Sequence, residues 1–354
     1  MLNVASHFCL KGNPVHFEPM GNGHINRTCL LVDDLGNKYT LQKINDTIFK
    51  DVPALMKNIT LVTDYLHSID SDPRHALKVV RTRDGESFYR DESGYYRIYH
   101  FVDDSVCLEK VETKEEFFLS AQAFGAFQNQ LAQFDASLLS ETIPRFHDTA
   151  NRVNNLRIAA ENDALGRLSE VKAEYEFAMA RAEEAKMMLS LLGEGKLKLR
   201  VTHNDTKLNN VLFDAATRQP ICIIDLDTVM PGLAANDFGD SIRFGAATAA
   251  EDETDLDKMT ISLELYEAYV KGFLGACGNK LTVDEILTLP MGAKMMTFEC
   301  GVRFLTDYLE GDTYFRIHRE KHNLDRCRTQ FKLVSEMEKN WQAMADIIKR
   351  EAKL

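Results

Sequence analysis

The chain has 354 residues, a formal net charge of −12 and 45% hydrophobic residues, which is ordinary for a globular protein. Its length is sufficient for two domains and a large core. The sequence contains no dense stripe of lysine and arginine, so we expect neither nucleic acid nor an anionic membrane surface as a partner. No apolar run approaches the roughly 20 residues of a membrane-spanning helix, and no obligate protein partner is evident.

Cysteine usage and the N-terminal residues predict a cytoplasmic protein. The seven cysteines are scattered and form no C-x-x-C pair, which favours reduced thiols over a disulfide framework or a zinc site. Residues 1–10 lack a basic segment followed by an apolar one, so we expect no secretory signal.

Residues 1–104 are predicted to form a small β-rich, nucleotide-binding domain. Turn residues separate runs of β-forming residues, and one segment instead shows the helical period of apolar positions. The predicted order is three strands, one helix and two strands: Val15–Phe17, Ile25–Val32, Tyr39–Ile44, the helix Val52–Leu66, Leu77–Val80 and Tyr95–Val102. This order is typical of the smaller lobe of kinases.

Five residues of this domain are candidates for contacts with ATP. Gly21 and Gly23 lie in the first predicted turn, where glycine would let backbone N–H groups approach phosphates; an ordinary hairpin turn is the alternative. Lys43 ends the third strand, at the position of a phosphate-contacting kinase lysine. A solvated edge lysine is the alternative, and the following helix offers no glutamate as a partner. Phe101 and Val102 end the fifth strand, where kinase folds receive adenine, although Phe101 also suits a core position.

Residues 105–354 are predicted to form a larger, mainly helical domain. Apolar residues recur at helical spacing over Glu115–Gln133 and Met295–Leu309, and further helices are predicted within Glu320–Ala352. Asn162–Asp163 is predicted to cap a long helix that follows it. The stretch Phe146–Arg152 is predicted to be a loop.

One stretch has the pattern of a phosphotransferase centre. A predicted strand leads into H-N-D-T-K-L-N-N, residues 203–210, and a later apolar run leads to Asp225. Phosphoryl transfer from Mg-ATP needs a carboxylate that orients and deprotonates the acceptor hydroxyl, and oxygen ligands for the metal. We therefore predict Asp205 as the catalytic base and Asn210 and Asp225 as Mg²⁺ ligands, against the alternative of ordinary turn residues. Asp227 is a second candidate for the metal or for positioning a loop.

The tripeptide Asp237-Phe238-Gly239 matches the magnesium motif of protein kinases, but its context differs. It follows Pro231-Gly232, whereas Asp225 comes directly after an apolar strand, as a metal ligand of this kind should. We interpret Asp237 and Asp240, in a loop, as a brace beneath the active site.

The motif His203–Asn210, together with Ile224-Asp225-Leu226-Asp227, resembles the aminoglycoside and choline phosphotransferase superfamily. Asn204 stands where that superfamily usually has glycine. Further similarity, to N-acetylhexosamine 1-kinases, lies in the segments Thr202–Asp214, Gly21–Asn26, Leu41–Asn45 and Arg303–Phe315. The resemblance extends over most of the chain, and an arginine is common in that family where this chain has Lys43.

The resemblance implies a two-lobed, protein-kinase-like α+β fold and ATP- and Mg²⁺-dependent phosphorylation of the anomeric hydroxyl of N-acetylglucosamine or N-acetylgalactosamine. It also implies that His24, Thr228, Arg303 and Tyr314 bind this small-molecule sugar. For Arg303, an ion pair with Glu299 or Asp307, one turn away, is the structural alternative. Two other functions stay open: a kinase of another small alcohol, such as an aminoglycoside or an amino alcohol, and a catalytically silent kinase-like binder.

Overall fold

The computed structural model describes residues 1–21 and 25–354, which form two compact units. A β-rich unit comprises Met1–Cys107, Gln133–Pro144 and Asn210–Pro231. A helical unit comprises Leu108–Ala132, Arg145–Asn209 and Gly232–Leu354. Later segments of the chain therefore return to the β-rich unit, and one of them carries Asn210 and Asp225.

Antiparallel pairing builds the β-rich unit. The strands of the protein are β1 Pro14–Pro19, β2 Arg27–Asp33, β3 Lys38–Ile44, β4 Val79–Val80, β5 Tyr89–Asp91, β6 Gly94–His100, β7 Ser105–Cys107, β8 Arg200–Thr202, β9 Val211–Asp214, β10 Pro220–Ile223 and β11 Met230–Gly232. The main sheet has the order β1-β2-β3-β6-β4, with β5 paired to β6, and a smaller sheet has the order β10-β9-β7. The strands predicted within residues 1–104 correspond to β1, β2, β3, β4 and β6, whereas β5 and β7 have no predicted counterpart.

The helices of the protein are α1 Leu2–Ala5, α2 Val52–Ile69, α3 Lys114–Gln130, α4 Thr149–Asn162, α5 Lys172–Met179, α6 Met187–Gly193, α7 Ala234–Gly245, α8 Leu263–Cys277, α9 Val283–Glu310, α10 His322–Lys339 and α11 Trp341–Ala352. In the helical unit α9 is central, because α4, α7 and α10 pack against it and α3 packs against α8. None of the helices within 1–21 and 25–354 is both long and apolar enough to cross a membrane.

Helix α2 confirms the one helix predicted among the early strands. Asp51 caps it by accepting a hydrogen bond from the backbone N–H of Ala54, and Pro53 lies in the first turn, where the missing N–H costs nothing. On the main sheet, alternate residues such as Leu31, Leu41 and Ile98 are buried beside Val4 and Phe8 of the N-terminal segment.

The prediction for residues 146–192 is wrong. Asn162 ends α4 and does not begin a long helix, and Asp163 after it adopts a left-handed conformation with φ 32°. The sequence pattern misses α4 because few of its residues are apolar; its start is set by Asp148, whose side chain accepts a hydrogen bond from the backbone N–H of Asn151. The apolar stripe that follows is divided between α5, α6 and short 3₁₀ turns.

Helices α7 and α9 touch backbone to backbone. A Cβ atom on Gly239 of α7 would lie 2.3 Å from the carbonyl oxygen of Gly292 in α9, and one on Gly292 would lie 2.1 Å from the carbonyl oxygen of Ala235. Only hydrogen fits at either position, so these glycines set the distance between the two helices.

Replacing Gly292 by alanine should therefore destabilise the protein, by about 1–3 kcal/mol as for other overpacked cores, because α7 must move away from α9. Urea unfolding monitored by circular dichroism would measure this. Gly275→Ala in α8 is the matched control, because no atom lies within 4 Å of the new Cβ; it should stabilise the helix by roughly 0.5–1 kcal/mol. Equal unfolding midpoints for the two variants would contradict the proposed close contact.

Candidate active site

The loop that follows β8 is held by two buried aspartates of α7. The carboxylate of Asp237 accepts hydrogen bonds from the backbone N–H groups of His203 (2.9 Å) and Asn204 (2.8 Å) and from the side-chain amide of Gln128 (2.9 Å). The carboxylate of Asp240 accepts from the N–H of Thr206 at 3.0 Å. The bracing role predicted for both residues is confirmed, although they lie on a helix and not in a loop.

Burial and hydrogen bonding act in opposite directions on Asp237. Burial raises the pKa of its carboxyl group, and the N–H donors of His203, Asn204 and Gln128 oppose this by stabilising the carboxylate. Both oxygens only accept hydrogen bonds from these donors, an arrangement that suits the ionised form.

Asn204 departs from the usual glycine of the superfamily, and the backbone shows why asparagine is tolerated. Its φ angle is 63°, in the left-handed region, which glycine enters freely and asparagine enters more readily than other residues. Asparagine at 204 is therefore compatible with the loop conformation.

Gly232 approaches this turn so closely that a Cβ there would lie 2.2 Å from the Thr202 hydroxyl.

His203 has a structural role in the loop. Its side chain is buried against Phe124 and Phe127, with ring centroids 5.6 and 6.2 Å away. Its Nδ1 accepts a hydrogen bond from the backbone N–H of Asp205 at 3.3 Å, so the imidazole helps to orient the residue that carries the predicted base.

Asp205 remains partly open to solvent, with 26% of its side chain exposed, and its Oδ1 lies 2.7 Å from Nζ of Lys207. Burial alone would lower the pKa of Lys207, but the charges of Asp205 and Asp240 outweigh it and raise the pKa. Lys207 is thus a permanent cation beside the predicted base. Sequence analysis did not single it out, although its place two residues after Asp205 is the signal that would have found it.

In the β-rich unit, hairpin β9–β10 brings the two predicted metal ligands together. Val211 pairs with Ile223, and the N–H of Ile224 donates to the carbonyl oxygen of Asn210 at 2.9 Å. Asn210 and Asp225 consequently flank the open end of one hairpin. Asp225 is exposed and adopts a left-handed conformation with φ 59°.

The oxygens of one amide and one carboxylate suit a hard cation such as Mg²⁺, which usually keeps several water ligands. The described residues contain no cluster of three or more histidine, cysteine, aspartate or glutamate side chains that would hold a metal by themselves. A cation at Asn210 and Asp225 would therefore complete its shell with water and with ligand oxygens.

Asp227, the second candidate for the metal, is buried, and its carboxylate has two partners within the β-rich unit. Its carboxylate forms an ion pair with Arg97 of β6 and accepts a hydrogen bond from the side-chain amide of Asn26 at 2.5 Å. Burial would lower the pKa of Arg97, but the charge of Asp227 raises it, so the pair is ionic.

Asp227 of the Asp225–Asp227 turn is paired with Arg97, a residue that the sequence pattern did not mark as functional. Within the described residues Lys43 forms no ion pair, and its Nζ lies 5.9 Å from the centre of the Tyr96 ring. The helix α2 contributes an amide where many kinases have a glutamate: Asn58 donates to the carbonyl oxygens of Ser140 (2.7 Å) and Val229 (3.0 Å). The signal for Arg97 was a single arginine inside the apolar strand predicted over Tyr95–Val102.

In the helical unit, Arg303 of α9 stacks on two aromatic rings instead of forming an ion pair with a neighbouring carboxylate. Its guanidinium carbon lies 5.8 Å from the ring centre of Tyr314 and 5.2 Å from that of Phe315. Both carboxylates one turn away have other partners. Glu299 accepts hydrogen bonds from His147 and Thr149, and Asp307 accepts from the backbone N–H groups of Thr313, Tyr314 and Phe315.

The remaining predicted residues are distributed over both units. Gly21 is exposed, with φ 75°, whereas Gly23 and His24 lie outside the described residues. Val102 is buried; Phe101 and Thr228 are half-buried. The structure thus brings together Asn210 with Asp225, and Arg303 with Tyr314.

Comparison with known proteins identifies the family. Residues 16–269 match the APH model, described as a phosphotransferase enzyme family, and the chain belongs to this family. Solved structures with similar folds include a microcompartment-associated aminopropanol kinase, with 15% identity, a TM-score of 0.59 and 97% of each chain covered. An aminoglycoside phosphotransferase from Alicyclobacillus acidocaldarius has 14% identity and a TM-score of 0.61, with 100% of this chain and 97% of that one covered.

A third similar structure is an amicoumacin kinase in complex with AMP-PNP, Ca²⁺ and Ami, with 13% identity, a TM-score of 0.61, and 96% of this chain and 92% of that one covered. These likenesses establish the predicted fold: a kinase-like α+β architecture with a β-rich smaller lobe and a larger helical lobe.

Replacing Asp237 by asparagine should destabilise the protein by about 1.5–3 kcal/mol, the usual range for a hydrogen bond to a charged group. The new amide has one oxygen and one NH₂ group. The NH₂ group would face one of the N–H donors of His203, Asn204 and Gln128, and two donors cannot form a hydrogen bond with each other. Urea unfolding would measure the loss. Asp51→Asn is the matched control, because asparagine caps a helix about as well as aspartate; a similar loss in both variants would contradict a specific brace at Asp237.

Proposed function

We propose that the chain catalyses the ATP-dependent phosphorylation of the anomeric C1 hydroxyl of N-acetylglucosamine or N-acetylgalactosamine. Membership of a phosphotransferase family supports the reaction type. The resemblance of the motif segments to N-acetylhexosamine 1-kinases supports the acceptor, as does the environment of Arg303. The residues assigned below are part of this proposal.

Asp205 acts as the base in this proposal. Its carboxylate accepts the proton of the C1 hydroxyl while the hydroxyl oxygen bonds to the γ-phosphorus and the bond from that phosphorus to ADP breaks. The ion pair with Lys207 favours the ionised carboxylate, which is the form that can accept a proton. The N–H of Asp205 is held by His203, so the base has a defined direction.

Asn210 and Asp225 would hold Mg²⁺, which when bound neutralises the charge of the ATP phosphates. The nucleotide contacts that we propose in addition are Gly21, Gly23, Lys43, Phe101 and Val102. The neutral ring of Tyr96 beside Lys43 leaves its ammonium group able to meet a phosphate.

The observation that supports a sugar most directly is that a second guanidinium group, that of Arg152, lies near Arg303. Arg152 lies on α4 one turn after Thr149, which hydrogen-bonds Glu299, and α4 packs on α9. Burial lowers the pKa of Arg152, and the nearby charge of Arg303 lowers it further. The guanidinium groups of Arg152 and Arg303 therefore lie near one another, with the carboxylates of Glu299 and Asp148 beside Arg152.

The carboxylate of Glu299 already has hydrogen-bond partners within the protein. Burial would raise the pKa of Glu299, but the hydrogen bond and charge of His147, the charge of Arg303 and the bond from Thr149 lower it. An acceptor molecule near Arg303 would thus meet the hydrogen-bond donors of its guanidinium group. A neutral sugar offers the oxygen acceptors that such a site prefers, and a planar guanidinium fork can donate two parallel hydrogen bonds.

The same charge balance disfavours the main rival. The similar structures include kinases of aminopropanol and ethanolamine, and an ammonium group would be repelled by Arg152 and Arg303. In the proposal, Arg303 and Tyr314 bind the sugar, and His24 and Thr228 supply further contacts. A silent binder is disfavoured because Asp205, Asn210 and Asp225 are all present.

The proposal predicts ATP consumption that depends on an added N-acetylhexosamine. ADP release would be measured against a panel of N-acetylglucosamine, N-acetylgalactosamine, glucose, ethanolamine, choline and an aminoglycoside, with the phosphate position on the product read by NMR. Asp205→Asn should lower kcat by about 10²–10⁴-fold, as expected for the loss of a general base, with little change in KM.

Two results would contradict parts of this prediction. Turnover of ethanolamine, choline or the aminoglycoside without turnover of N-acetylhexosamines would refute the proposed acceptor. Near-normal kcat in Asp205→Asn would refute the assigned base.

Arg303→Lys should raise KM for the sugar about 10–100-fold, the equivalent of roughly 1.5–3 kcal/mol for a lost charge-assisted fork, while KM for ATP stays the same. Steady-state kinetics with each substrate varied in turn would measure the two constants. Arg157→Lys is the matched control, because Arg157 is an exposed arginine of α4 paired with Glu161. An unchanged KM for the sugar in Arg303→Lys would remove this residue from the sugar site.

A further inference from the structure

The turn that carries Asp225 is tied to the main sheet of the β-rich unit through the buried carboxylate of Asp227. Only 4% of the Asp227 side chain and 1% of the Arg97 side chain are exposed, and the two form an ion pair. A buried charge is costly without a partner. Arg97 and Asp227 therefore hold one another in place, two residues from the exposed Asp225.

Arg97 is itself fixed by a row of side chains across three strands. Thr28 of β2 lies opposite Gln42 of β3, and Gln42 lies opposite Arg97 of β6. The Gln42 amide donates to the Thr28 hydroxyl at 3.0 Å, and its oxygen accepts from Nε of Arg97 at 2.8 Å. The guanidinium group thus has a set orientation before it meets Asp227.

Asn26 completes the array from the other side of the carboxylate. Its side-chain NH₂ donates to Asp227, and its side-chain oxygen accepts from the backbone N–H of Asn45 at the end of β3. Asn58 of α2 binds the carbonyl oxygen of Val229, two residues after Asp227. The start of β2, the end of β3, strand β6 and helix α2 all converge on this turn.

We propose that Arg97 is a positioning residue for the metal and nucleotide: by fixing Asp227 inside the β-rich unit, it sets the left-handed turn that presents the Asp225 carboxylate to Mg²⁺. Asp227 is then a bracing residue and not a metal ligand. Arg97 takes the structural part that a strand lysine paired with a helix glutamate has in protein kinases. This inference rests on the proposed role of Asp225 as a Mg²⁺ ligand.

The inference predicts a loss of Mg²⁺-dependent nucleotide affinity when Arg97 no longer fixes Asp227. Isothermal titration calorimetry would measure the Kd of ADP with Mg²⁺ and again with EDTA, on variants whose melting curves show a folded protein. Arg97→Lys and Asp227→Asn should raise the Kd at least 10-fold with Mg²⁺ and leave it unchanged in EDTA. A merely structural role would change both values equally or neither.

Two further variants keep the test decisive. The double variant Arg97→Met/Asp227→Asn removes both buried charges, which proteins tolerate better than the loss of one partner; it should fold and still lack the Mg²⁺-dependent affinity. Arg181→Lys is the matched control, because Arg181 forms a two-point ion pair with Glu338 in the helical unit; it should bind Mg-ADP like the unmodified protein.

The outcomes separate this inference from the proposed function. If folded Arg97→Lys and the double variant keep the Mg²⁺-dependent affinity while Asp225→Asn loses it, Arg97 has no positioning role and the metal assignment stands. If Asp225→Asn also keeps it, the metal assignment itself is wrong, and the role of Arg97 fails with it. Sugar specificity does not enter either measurement.

Discussion

The candidate active site depends most on one interaction. The carboxylate of Asp237 accepts hydrogen bonds from two consecutive backbone N–H groups of the loop. A chain that leaves a strand and turns while still buried must find acceptors for its N–H groups. One carboxylate supplies two, at His203 and Asn204, the residues directly before Asp205. In our proposal, the brace orients the base through the backbone that precedes it.

This brace is only as rigid as the helix that carries it. Asp237 and Asp240 lie on α7, and α7 is held against α9 by the contact of Gly239 with Gly292. A larger residue at either glycine would move both carboxylates away from the loop. The geometry of the loop therefore depends on how closely the two helices pack. The glycines set the distance between the helices, and the hydrogen bonds of the two aspartates then fix the loop.

Burial separates aspartates that look alike in sequence. Asp225 and Asp227 belong to one D-L-D turn, yet Asp225 is exposed and Asp227 lies inside against Arg97. Asp237 begins the tripeptide D-F-G, but its partners are backbone N–H groups of the same unit. An exposed carboxylate stays in contact with water, whereas a buried one must use its oxygens to offset its own desolvation. The first kind serves chemistry in our proposal, and the second kind supports it.

The sequence by itself determined the features that depend on short stretches of chain. The strand order, helix α2 and the spacing from Asp205 to Asn210 and Asp225 follow from local period, turn residues and one hairpin. What only the tertiary structure decided are partnerships between distant residues: Asp227 meets Asn26 across 201 positions, Arg97 pairs with Asp227, and Glu299 binds His147 and Thr149. The sequence pattern also did not predict helix α4. Its few apolar residues form a recognisable buried face only where α4 packs against α9. Periodicity shows which face of a segment is apolar, but it does not show which residue of another segment will lie opposite. The role of a charged side chain depends on that opposing residue.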